Sequence, residues 1–106
     1  MHFDLSDDHQ MLRRMVRDFV AARVTPHAGA WSEAGAVPAE VLKAVAELGL
    51  LGVRVPEDAG GAGMDATALA LVLEEVAAGD AGLASVLASH ALCCEHLMRA
   101  GTEVQV

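Results

Sequence analysis

The tract from Ala81 to Ala100 constrains this chain most. It reads AGLASVLASHALCCEHLMRA, with Leu83, Val86, Leu87, Ala88, Ala91, Leu92, Leu97 and Met98 spread around most of a helical circumference. Gly79-Asp80 separates it from the tract before it, and Gly101 ends it. A helix apolar nearly all round is expected to be covered on several sides. A chain of 106 residues can build one domain and a modest core. At 54% hydrophobic residues it carries more apolar surface than so small a domain needs, so part of that surface should face a partner subunit, a ligand or further chain.

The remaining tracts are helical too. Ser6 can cap a first helix, with Asp7 and Asp8 in the first turn, where the helix dipole favours negative charge. Leu12, Met15, Val16, Phe19 and Val20 then recur at helical spacing, with Arg13, Arg14, Arg17 and Asp18 largely on the other side. Pro26 lacks a backbone N–H, which predicts an end or a kink near Val24. A shorter helical stretch passes Trp31 and ends near Gly35. Pro38 suits the first position of the next helix, whose stripe is Val41, Leu42, Val45 and Leu48. Gly49 fits a left-handed cap, with Leu50 folding back. Leu50 to Val55 reads as extended, held so by Pro56, and Gly60, Gly61 and Gly63 as a turn needing positive φ or flexibility. Asp65 caps another long helix with Leu69, Val72, Leu73 and Val76 on its stripe. No alternating strand pattern and no repeat occurs, so the expected class is all-α.

The net charge of −8 and the scattered basic residues argue against nucleic acid and against anionic membranes. No apolar run reaches the roughly 20 residues of a membrane span, because Glu74, Glu75 and Asp80 interrupt the most apolar stretch. No signal-peptide pattern opens the chain. Cys93 and Cys94 are neighbours and staple nothing, which fits a reducing compartment, so the expected localisation is cytoplasmic. Thr102-Glu103-Val104-Gln105 reads as a capping box. The expectation is therefore one domain over residues 1–106, cut off at the start of a further helix.

No constellation of side chains makes an active site. His90, Cys93, Cys94 and His96 resemble metal ligands by type, but positions 90 and 94 share a helix face while 96 points away, so packed core residues account for them better. Glu74 and Glu75 diverge on a helix, and a solvated face or an interhelix ion pair is the expected use. Gly60-Gly61-Ala62-Gly63 has no accompanying lysine and no βαβ context, so it is not read as a phosphate cradle. No serine sits in a nucleophile elbow.

An ordered set of segments resembles the amino-terminal domain of the acyl-CoA dehydrogenases. It comprises Phe3-Asp4-Leu5-Ser6 with Asp8-His9-Gln10, then Val24-Thr25-Pro26-His27-Ala28 with Trp31. Leu48-Gly49-Leu50-Leu51-Gly52-Val53, Val55-Pro56-Glu57 and Gly60-Gly61-Ala62-Gly63-Met64 are its most specific part. Glu74-Glu75-Val76-Ala77, Asp80-Ala81-Gly82-Leu83-Ala84 and Gly101-Thr102-Glu103 with Gln105 complete the series over the whole chain. Ala59 stands where the family commonly has an aromatic, Val104 and Val106 replace more polar residues, and the chain has no tyrosine.

The resemblance implies an up-and-down bundle of antiparallel helices with one extended glycine loop. It implies FAD as the cofactor of the complete enzyme and oxidation of an acyl-CoA thioester to its trans-2-enoyl form. The glutamate base and the flavin-contacting strands of the family lie beyond these residues, so no catalytic, cofactor-binding or metal residue is assigned and the chain alone is expected to be inactive and free of FAD. The remaining β-domain and carboxy-terminal helical domain are implied as partners, with homo-oligomers when complete. By position Ala84, Ser85, Ala88 and Leu92 match one wall of the acyl pocket, and their i, i+1, i+4, i+8 spacing gives them a shared face. Ordinary helix packing is the competing account of those four residues. A non-catalytic helical interaction module, or a piece of an acyl-CoA oxidase, is the competing account of the chain.

Overall fold

A computed structural model describes residues 5–102. Five α-helices carry the fold, α1 (Asp7–Phe19), α2 (Ala28–Ala34), α3 (Ala39–Glu47), α4 (Ala66–Gly79) and α5 (Ala81–Ala100), with no strand among the described residues. The capping box anticipated at residues 102–105 extends outside them.

Ser6 caps α1 as its sequence predicts, accepting from the His9 N–H at 3.1 Å, and the His9 ring reaches back to the Ser6 N–H. The other ring nitrogen of His9 lies 2.9 Å from an Asp65 oxygen, and that same oxygen accepts from the Ala68 N–H to cap α4. One side chain thus ties together the first turns of two helices far apart in sequence. With Nδ1 accepting from Ser6, the neutral tautomer that fits is the one with the proton on Nε2, donated to Asp65. These bonds hold the Asp65 carboxyl below its ordinary range, the Ala68 N–H contributing most and the His9 bond next.

The kink near Val24 takes a specific form. From Val20 to Val24 the helix widens into a π-turn, with Thr25 N–H donating to Val20 C=O, and a 3-10 turn over Thr25–His27 leads into α2. A wide turn directly before Pro26 is where the helix can accommodate a ring that breaks its ladder. α3 begins one residue later than its sequence suggests, with Pro38 as the extended residue before it. It ends in a Schellman motif. Gly49 has φ +80°, its N–H bonds Ala46 C=O, and the Leu50 N–H bonds Val45 C=O.

Residues 50–55 are not extended. They form successive turns, with Gly52 N–H to Gly49 C=O at 3.3 Å and Val55 N–H to Gly52 C=O at 3.2 Å. Pro56 restricts only the residue before it, so it cannot hold the whole run straight. This run is fastened to the glycine turn by Ala62 N–H to Gly52 C=O, Gly63 N–H to Val55 C=O and Met64 N–H to Val53 C=O, at 2.8–2.9 Å. A Cβ on Gly61 would collide with the Val55 carbonyl, which is why that position has no side chain.

α4 is the hub, packed on α1 and on α5. The core runs through Val16, Val20 and Val24, Val41 and Val45, Leu50 and Val53, Ala68, Val72 and Val76, then Leu83 and Leu87. α1 and α4 run in the same direction: His9 meets Asp65 at their starts, and Arg17 meets Glu75 towards their ends. The antiparallel order expected of the bundle therefore does not extend to this central pair, because the long 3-10, α2, α3 and loop excursion brings the chain back to its starting end. α5 does reverse against α4. Asp80 alone makes the corner, its N–H closing α4 on Val76 C=O and its carboxylate capping α5 at the Leu83 N–H, 2.7 Å away. Gly79 belongs to α4, not to the break.

Candidate functional site

α5 is buried along one side only. Leu83, Ala84 and Leu87 enter the core, while Val86, Leu92, Leu97 and Met98 remain exposed. The cover on several sides expected for this helix is not supplied by residues 5–102. With so much apolar surface open, α5 also has the length and composition to cross a bilayer, a match that counting uninterrupted apolar runs does not give. Its packing on α4 and its ion pairs tie it instead to this domain.

The four residues matched to an acyl-pocket wall divide. Ser85, Ala88 and Leu92 are exposed, Leu92 at 73%. Ala84 is 9% exposed and belongs to the core beneath them. The exposed three share an arc of the helix that turns away from α4.

A different arc of α5 faces the turns at 50–56. Two adjoining hollows lie there, of about 270 Å³ and about 480 Å³, and Leu51, Gly52, Val55, Cys94 and Met98 line both. Ser85, Ala88 and Leu92 line neither. Glu95 stands at the rim and accepts from Arg54 at 2.8 Å and from Arg99 at 2.9 Å. The Glu95–Arg99 pair follows from i,i+4 spacing, but nothing in the sequence announces Arg54, which arrives from the turns.

Of the other candidates, the two glutamates take the uses expected of them. Glu75 is buried and accepts from Arg13 and Arg17, making the interhelix ion pair, while Glu74 is exposed to solvent. The packed core expected for His90, Cys93, Cys94 and His96 is not found: His90, Cys93 and His96 are exposed and Cys94 is half-buried, with His90 and Cys94 bordering the larger hollow. Among the described residues no group of three or more histidines, cysteines or carboxylates is gathered to hold a metal.

Comparison with known proteins agrees with this helical layout. The family model for the acyl-CoA dehydrogenase N-terminal domain matches residues 6–106. The chain belongs to the acyl-CoA dehydrogenase family. It is 41% identical to the probable acyl-CoA dehydrogenase YngJ of Bacillus subtilis, over 99% of this chain and 28% of that protein. It is 38% identical to the glutaryl-CoA dehydrogenase of Desulfococcus multivorans, over 91% of this chain and 25% of that one. A chain from a solved structure concerning the electron transferring flavoprotein of Acidaminococcus fermentans superposes with a TM-score of 0.92 at 30% identity, covering 99% of this chain and 28% of that one. As the N-terminal portion of a family member, the chain spans about a quarter of the length of these relatives.

Proposed function

We propose that this domain serves an FAD-dependent acyl-CoA dehydrogenase, which oxidises an acyl-CoA thioester to its trans-2-enoyl form, and that α5 supplies one wall of the acyl pocket. The observation that carries the wall is the exposure of Ser85, Ala88 and Leu92 on one arc of α5, with Leu83 and Leu87 in the core on another side and Ala84 buried at the edge between them. A wall needs this combination, a rigid back and a free front. The small side chains at 85 and 88 leave room for a substrate chain, and Leu92 offers it apolar contact. Ala84 underlies the wall and sets how closely α5 approaches α4.

The residues described do not make a flavin site of their own. Helix N-termini bind a pyrophosphate through free N–H groups, but Asp65 and Asp80 already put carboxylates on those of α4 and α5. Arg54 and Arg99 are both drawn to Glu95. FAD would be held by the rest of the enzyme, so no chemical step is assigned to these residues, and the chain purified alone should be colourless.

The test is Ala88→Leu in a complete enzyme containing this domain. Each methylene left unburied costs about 0.8 kcal/mol, and apolar discrimination of this kind reaches roughly 10- to 200-fold. kcat/KM should shift by that order toward shorter acyl-CoA chains. Because Ala88 is exposed in this domain, leucine there should leave the melting temperature of the isolated chain nearly unchanged. An equal loss on every chain length would instead mark position 88 as a helix seam.

A further inference from the structure

We propose that the open arc of α5 selects acyl-CoA thioesters whose acyl chain ends in a carboxylate, with Arg99 and His96 receiving that group beyond Leu92. The inference rests on the acyl-wall reading above and adds the class of substrate that the wall takes.

At about 100° per residue, Ser85, Ala88, Leu92, His96 and Arg99 fall within about 80° of one another around the helix axis. All five are exposed. The three residues proposed as a wall therefore continue in line into two nitrogen-bearing side chains. The chemistry changes along the arc, from small at 85 and 88, to apolar at 92, to imidazole and guanidinium at 96 and 99. His96 lies about 6 Å and Arg99 about 10 Å further along the axis than Leu92. A plain alkyl end gives nothing back for desolvating these donors. A chain that ends in a carboxylate uses both parts of the arc, its methylenes on Leu92 and its charge on the guanidinium.

Arg99 can take a second anion without stranding the first. It is 78% exposed and gives one terminal nitrogen to a Glu95 oxygen at 2.9 Å, while Arg54 holds the other Glu95 oxygen at 2.8 Å. Two guanidinium groups on one carboxylate leave one positive charge in excess, in a chain whose net charge is −8. When Arg99 turns toward a substrate, Arg54 still satisfies Glu95. The dipole of α5 puts partial negative charge at this end of the helix, so a carboxylate arriving there needs a cation in the last turn, where Arg99 stands. His96 adds a donor N–H in either tautomer.

The test compares kcat/KM, in a complete enzyme containing this domain, for straight-chain acyl-CoA thioesters and their ω-carboxy counterparts of equal length. The unaltered enzyme should favour the ω-carboxy member at one length or more. Arg99→Gln should lower the ratio of ω-carboxy to plain kcat/KM there by roughly 10- to 100-fold, the reach of a charged hydrogen bond. Arg99→Lys should recover most of the ratio. Neither variant should move the melting temperature appreciably, since an exposed i,i+4 pair is worth little. Preference for the plain chain at every length would overturn the proposal. So would an unaltered ratio in Arg99→Gln, which would mark Arg99 as an ordinary helix-end cation. An equal loss on both members of each pair would assign Arg99 to the phosphates of coenzyme A, and would also overturn it. In each of these cases a chain-length shift in Ala88→Leu would leave the wall reading standing, whereas a uniform loss in Ala88→Leu would remove both.

Discussion

Arg17 grips Glu75 with two hydrogen bonds, from Nη2 at 2.8 Å and from Nε at 3.1 Å, and Arg13 Nε adds a third at 3.0 Å. The carboxylate is 10% exposed, whereas the arginines are 56% and 41% exposed. The pair therefore joins a buried anion on α4 to two half-hydrated cations on α1, and its worth lies mainly in satisfying the anion. Removing the Glu75 charge returns the half-exposed arginines to water, but removing the arginine charges leaves buried Glu75 stranded.

Arg17→Met should accordingly destabilise more than Glu75→Gln. Glutamine keeps acceptors for the guanidinium groups and carries no charge to strand. Losing charged hydrogen bonds to a buried group costs about 1.5–3 kcal/mol, and Glu75→Gln should fall at or below the lower end. Urea titrations of the two variants and of the double variant measure the difference. Equal effects would mean that both arginines hold Glu75 interchangeably.

Acid should weaken the fold through the same group. The Arg17 bond, opposed by burial and helped by Arg13, holds the Glu75 carboxyl below its ordinary value of 4.5, and Asp65 is likewise lowered from 3.8. A lowered folded-state pKa means that the unfolded chain takes up protons first as pH falls. The stabilisation from both groups is then complete above the ordinary carboxylate range and is lost as pH falls from about 4.5 through their folded values. Stability measured from pH 7 to pH 3 should be flat for these groups above that range and fall below it. The fall should be shallower in Glu75→Gln, and an unchanged slope would remove Glu75 from the acid transition.

Two helical glycines should respond oppositely to alanine. A Cβ on Gly79 would lie 2.5 Å from Val20 Cγ1 and 3.1 Å from both Val24 Cγ1 and Thr25 Oγ1, so the end of α4 can approach the π-turn only without a side chain. Gly79→Ala gains about 1 kcal/mol of helix propensity against an overpacking cost of about 1–3 kcal/mol, and the net should be destabilising. Gly29 in α2 has nothing within 4 Å of its built Cβ, so Gly29→Ala should stabilise by about 0.5–1 kcal/mol. Thermal melts of the two variants check the signs.

The uncovered face of α5 should make the isolated chain bind hydrophobic dyes and self-associate. Leu92, at 73% exposure, is the largest single contributor named on that helix. Leu92→Gln should lower dye fluorescence and shift stability by less than about 0.5 kcal/mol, as surface changes do. A large drop in stability would mean that Leu92 packs within the chain.

Local features were legible from neighbouring residues. Ser6, Asp65 and Asp80 cap or break helices through groups three residues away, and Gly49 closes α3 with a left-handed turn. Such interactions close within one turn, so their residue types suffice to announce them. Ser85, Ala88 and Leu92, the residues proposed as a wall, share an arc for the same reason, since helical spacing alone sets it. The run from Leu50 to Val55 departs from its extended expectation because its conformation is held by bonds to residues 62–64, not by Pro56.

The all-α class, the helix caps at Ser6 and Asp65 and the family were readable from the order of residues, because periodicity, caps and an ordered set of short segments are properties of neighbours along the chain. Tertiary structure alone decided that α1 and α4 run parallel, that His9 clasps Asp65, that Arg54 reaches Glu95, and which sides of α5 stay open. Each of these joins residues about 40 or more positions apart, or depends on what such packing leaves uncovered. Side-chain chemistry says that such groups want partners; only the folded path says which partners come within reach.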